Sequence, residues 1–134
     1  MNKAIVLFVL TFLLLSCFEE EATSDFLNET VWVSNNSGAV LDGDKFLYSF
    51  IEIHTLTFSK NTFTYSFNRK ETEGSSSSYN EKRDELTEGS YSVKYPEITL
   101  ASVTYVKVCT LSSNTLTMNT GDDSQPLYFI RKTK

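Results

Sequence analysis

From Val31 onward the chain carries almost no helical apolar repeat. Short runs alternate apolar and polar residues and are cut by clusters of Gly, Asn, Asp and Ser. That pattern confines the fold to strands, because successive side chains of a strand leave on opposite faces, whereas a helix would scatter the same residues around its axis. In residues 62–68, Phe63, Tyr65 and Phe67 fall on one face and Thr62, Thr64, Ser66 and Asn68 on the other, as a strand with one buried face requires. Residues 55–59 precede this run across Lys60-Asn61, where Asn tolerates the positive φ of a tight turn, so the two runs are expected to pair as a hairpin. Residues 103–111 and 115–119, joined through Ser112, Ser113 and Asn114, form a second such pair. Further strands are predicted at 30–34, 46–53, 90–95, 98–101 and 127–132. Pro96 lacks an amide donor and separates two of them. Ten Phe and seven Tyr against a single Trp reinforce the preference for strands.

Roughly eight or nine strands between Thr30 and Arg131 leave no room for a crossover helix, which disfavours parallel pairing. The predicted fold is all-β, an antiparallel up-and-down barrel of about eight strands. A two-sheet β-sandwich is the alternative that alternation alone does not separate from it. A chain of 134 residues allows one domain, placed at residues 28–134. The formal charge of −5 removes the basic footprint that phosphate-backbone recognition needs, so a nucleic-acid partner is not expected.

The first seventeen residues follow a different plan. Met1-Asn2-Lys3 leads into an apolar run from Ala4 to Leu15, then Ser16 and Cys17, the three-part layout of a secretory signal. As a helix the run would be about 18 Å long, short of a hydrocarbon core of about 30 Å. Leu14-Leu15-Ser16-Cys17 resembles the lipobox of bacterial lipoproteins. The resemblance implies removal of residues 1–16 as a signal peptide, with acyl chains such as palmitate on Cys17. Buried methylenes contribute about 0.8 kcal/mol each, so two or more chains would hold the protein on a membrane. Phe18-Glu19-Glu20-Glu21 resembles the acidic export tag of surface lipoproteins of the Bacteroidetes; a solvated tether is the alternative. Residues 17–27 are therefore read as a lipidated cysteine and acidic tether, and the expected location is the outer membrane, at the cell surface or on the periplasmic face.

Leu27 followed by Thr30-Val31-Trp32, then Leu56-Thr57-Phe58-Ser59-Lys60-Asn61-Thr62-Phe63, Gly89-Ser90-Tyr91-Ser92-Val93 and Asn114-Thr115-Leu116-Thr117-Met118 resemble the small lipocalin-like lipoproteins of Bacteroidetes. The likeness covers most of residues 27–132 and implies a calycin-type barrel. True lipocalins place glycine two residues before the first-strand Trp, where this chain has Thr30.

Candidate site residues follow from the pattern. Trp32 is read as a core plug, with a ligand platform as the competing use. An acylated Cys17 leaves Cys109 alone, read as a small buried hydrophobe. If residues 46–58 run as one strand, Phe46, Tyr48, Phe50, Glu52, His54, Leu56 and Phe58 share a face, and Glu52 and His54 must be satisfied there, for which a mutually hydrogen-bonded pair lining a cavity is one solution. The plainer expectation is a turn or bulge near His54 that switches parity, turning Ile51 and Ile53 inward and leaving Glu52 and His54 wet. Tyr48, Phe50, Glu52 and His54 are the candidate ligand-binding residues. His54 is the only histidine and no nucleophile elbow accompanies it, so no enzyme activity is expected.

Residues 69–88 contain four consecutive serines and ten charged residues and are predicted as a mobile loop or a lid, with Tyr79 the candidate partner contact. Asp42-Gly43-Asp44 and Gly121-Asp122-Asp123 lack the ligand ladder of a calcium loop and are read as turns; neither metal nor cofactor is expected. The function expected is that of a membrane-anchored lipoprotein with non-catalytic binding of a small apolar or amphipathic ligand. The alternative is a protein-interaction or inhibitor module of a cell-surface complex acting through residues 69–88.

Overall fold

In the computed structural model, which describes residues 24–73, 80–121 and 125–133, the alternating runs close into one antiparallel barrel. A short 3-10 turn, Ser24–Phe26, precedes eight strands: β1 (Thr30–Asp42), β2 (Lys45–Phe58), β3 (Thr62–Glu73), β4 (Asn80–Lys94), β5 (Glu97–Ser102), β6 (Val106–Ser112), β7 (Thr115–Met118) and β8 (Leu127–Arg131). Each strand pairs with the next in sequence and β8 returns to β1, the up-and-down order of a barrel rather than a sandwich. The runs predicted at 46–53 and 55–59 are one strand, β2, which fixes the count at eight. The strand predicted from residue 103 starts at Val106 instead. Ahead of it the Ser102 hydroxyl accepts from the Thr104 and Tyr105 amides at 3.3 and 3.2 Å, turning the chain there.

Strand lengths divide the molecule. β1 to β4 run 12 to 15 residues, whereas β5 to β8 run only 4 to 7. The barrel therefore closes at one end, and beyond it the four long strands continue as an open sheet. β4 meets β5 only from Gly89 to Lys94. β1 meets β8 only at Trp32↔Arg131 and Val33↔Ile130.

The closed end is filled. Trp32, Leu56, Phe58, Phe63, Ile98 and Phe129 are buried inside it, and the Tyr91 ring meets Phe58 edge-on at 5.0 Å. The Trp32 indole Nε1 donates to Thr30 Oγ1 at 2.9 Å, and that hydroxyl donates onward to the Leu27 carbonyl. Thr30 thus satisfies the buried indole. A Cβ at Gly89 would stand 2.1 Å from the Ala101 carbonyl oxygen and 2.7 Å from the Phe63 ring, so only glycine lets β4 come this close to β5.

The loop predicted at residues 69–88 is not what forms. Residues 69–73 complete β3 and residues 80–88 begin β4, paired in register from Thr64↔Glu88 through Arg69↔Arg83, with a bulge after that pair. Past the closed end no strand among the described residues faces β1 to β4, so the apolar alternation that marks a strand in sequence weakens while the backbone ladder persists. Tyr79 lies outside the described residues, as do Cys17, residues 1–16, Glu19 to Glu21, Asp122 and Asp123. Asp42-Gly43-Asp44 is the β1–β2 turn, with Gly43 at φ 60°.

Candidate functional site

The open sheet carries the candidate ligand-binding residues on its inner face. β2 has one bulge, at Leu47, where Val40 pairs with Tyr48 and Leu41 with Phe46. From Tyr48 to Phe58 both its ladders are continuous. The expected switch of parity near His54 therefore does not occur. With β1 and β3 paired straight through this point, nothing bends the strand, so His54 is buried and Ile51 and Ile53 lie on the opposite face, partly covered. Tyr48, Phe50, Glu52 and His54 share the inward row with Leu56 and Phe58, and none of the first three is fully exposed.

Register stacks this face into layers. The first beyond the core is Ser34↔His54↔Phe67, and the next is Asn36↔Glu52↔Arg69. Gly38↔Phe50↔Glu71 follows, and Val40↔Tyr48↔Glu73 is the outermost. Cross-strand neighbours on one face stand close enough for direct contact, and here they use it. His54 Nδ1 and the Tyr65 hydroxyl are 2.7 Å apart, and the imidazole stacks on the Phe67 ring at 4.6 Å between centroids. Glu52 Oε1 accepts from Arg69 Nη1, Arg69 Nε donates to Glu71 Oε1 at 2.9 Å, and Asn36 Nδ2 donates to Glu52 Oε2 at 3.4 Å. The guanidinium also lies over the Phe50 ring at 4.4 Å. Gly38 makes this possible, since a Cβ there would meet the Phe50 ring at 2.8 Å.

Burial sets the electrostatics. Removing the imidazole from water disfavours its charged form, which outweighs the attraction of Glu52 and holds the His54 pKa below its ordinary 6.5; the Lys107 charge acts in the same downward sense. A neutral imidazole donates from one nitrogen only. Glu52 Oε2 stands 3.9 Å from His54 Nε2, which favours the proton on that nitrogen, so the Tyr65 hydroxyl donates to Nδ1. His54 Nε2 then carries a buried N–H with no hydrogen-bond partner among the described residues.

Beside these layers a groove of about 340 Å³ opens between β1 and the approach to β8, lined by Ser34, Asn35, Asn36, Gln125, Pro126, Leu127 and Tyr128. Ser34 and Asn36, the register partners of His54 and Glu52, form its wall. On the far side of the barrel Cys109 is fully buried, and burial pushes its thiol up to about 12 against the opposing pull of Lys107. Among the described residues no three His, Cys, Asp or Glu side chains converge as metal ligands would.

The site therefore gathers more than the four residues singled out from sequence. Tyr65, Arg69 and Glu71 belong to it, and one signal pointed to them: they continue the period-two row that starts at Phe63 and Phe67. Asn36 gave no such signal, because a partner 16 residues away is set by register alone. Comparison of the chain with family models, with curated proteins and with solved structures finds no match in any of the three.

Proposed function

We propose that this protein is a non-catalytic binding module which takes a small amphipathic ligand at the open end of its barrel and is held on a membrane through an acylated Cys17. The observation that supports the binding reading most is the division of the interior. The closed end is packed with Trp32, Phe58, Phe63 and Phe129, while the open end presents Phe50 and Tyr48 beside a polar cluster and a groove. An apolar tail suits the aromatic face and the groove, and a polar head suits the row from His54 to Arg69. The anchor rests on the likeness of Leu14-Leu15-Ser16-Cys17 to a lipobox, and a bilayer surface would supply ligands of this kind at high local concentration. The non-catalytic reading is supported by His54, the only histidine, whose Nδ1 is paired with the Tyr65 hydroxyl rather than with a serine or cysteine among the described residues.

A neutral solvatochromic dye such as Nile red tests the reading. The dye is expected to brighten in the wild-type protein and to lose that signal in Phe50→Ser, with the circular dichroism of the barrel unchanged. An unchanged dye signal in a folded Phe50→Ser variant would reject the site.

A further inference from the structure

Within the binding reading, on which this inference rests, the polar cluster specifies the head group. Arg69 spends its Nε on Glu71 and an Nη on Glu52, so its charge is already answered by two carboxylates. Two groups are left under-used and face each other. Glu52 Oε2 receives only the long Asn36 contact at 3.4 Å, and the buried His54 Nε2 has no partner among the described residues, on a side chain only 9% exposed. Their 3.9 Å separation exceeds a direct hydrogen bond and is too short for an atom on the line between them. An oxygen about 2.8 Å from both would sit about 2 Å off that line. It would have to accept from Nε2–H and donate to the carboxylate. A hydroxyl does both; a carboxylate, phosphate or ether oxygen only accepts, and an ammonium only donates.

We propose that Glu52 and His54 form a receptor for the hydroxyl of a neutral amphipathic alcohol, whose apolar part lies in the groove against Pro126 and Leu127. Charge selects in the same sense. Arg69 is already engaged by Glu52 and Glu71 and is not free to hold an anionic head group, while Lys107, the cation that acts on His54, lies with its Nζ over the Tyr105 ring at 5.3 Å.

The test is a titration of the purified protein with octan-1-ol and, separately, with octanoate, followed through the nitrogen resonances of its only histidine. Octan-1-ol is expected to shift the Nε2 resonance saturably, and octanoate to bind at least about tenfold more weakly, a difference of about 1.4 kcal/mol. His54→Phe, which keeps the stacking on Phe67, is expected to weaken alcohol binding by about tenfold or more. If that variant fails to fold, the wild-type resonances alone decide. Equal affinity for octanoate would overturn the hydroxyl assignment and leave the binding reading standing. Alcohol binding that leaves Nε2 unmoved would overturn the placement at His54. Absence of binding by both compounds would overturn the proposal together with the reading it rests on.

Discussion

His54 shows how a single side chain is decided by what lies across from it. Seen in sequence, an imidazole and a carboxylate in an aromatic row suggest a turn or bulge that switches parity to wet them; with Ser34 and Phe67 paired on either side, the register runs unbroken and the imidazole is buried. That burial has a consequence for stability. Because the folded-state pKa lies below 6.5, the unfolded chain binds the extra proton first as the medium is acidified. Stability is therefore full above pH 6.5 and declines as the pH drops below it, towards the lower pKa of the folded protein. Beside burial, Glu52 pulls the His54 pKa up and Lys107 pushes it down. Thermal melting across this window is expected to slope downward with acid in the wild type and to flatten in His54→Phe. A wild-type slope retained in that variant would assign the effect to other groups.

At the scale of elements, most of what forms was legible, and the rest was hidden for an identifiable reason. The row Phe63, Tyr65, Phe67 announced the β2–β3 hairpin, because a half-buried strand writes its geometry into the alternation of its residues, although the turn through residues 59–61 forms without the positive φ expected at Asn61. The same strand continues through Arg69 and Glu71, and β4 begins inside a segment that reads as loop, because outside the closed end no strand among the described residues faces it to demand an apolar row. Charged strands that protrude in this way carry no composition signal of their own, so backbone pairing is their only evidence. The site suffered most, since its cluster joins β1, β2 and β3 through a register that neighbouring residues do not encode. Gly89 gives this scale its sharpest test. It sits where β4 enters the barrel against β5, and Gly89→Ala is expected to cost about 3 kcal/mol in denaturant unfolding, through a clash with backbone that cannot swing aside. A loss below about 0.5 kcal/mol, typical of surface positions, would show that β4 and β5 can separate there at little expense.

The whole molecule is a meander with one long-range join. Every ladder but one links strands adjacent in sequence; the exception is β1 with β8, registered at only Trp32↔Arg131 and Val33↔Ile130. Outside that register the Lys132 amide also donates to the Val31 carbonyl at 2.8 Å. So short a ladder is the natural place for local opening. Native-state hydrogen exchange is expected to find the Lys132 amide opening at lower free energy than the paired amides at the centre of β2 and β3, and equal protection would contradict that. The same arrangement orders assembly in time. A chain delivered N-terminus first can complete six of its eight ladders between neighbours before the last strand arrives, and β8 then adds the remaining two, against β7 and β1. Until then Trp32 stands at an unsealed margin, and a protein cut short before Leu127 would hold every stave of its wall except the one that makes it a vessel.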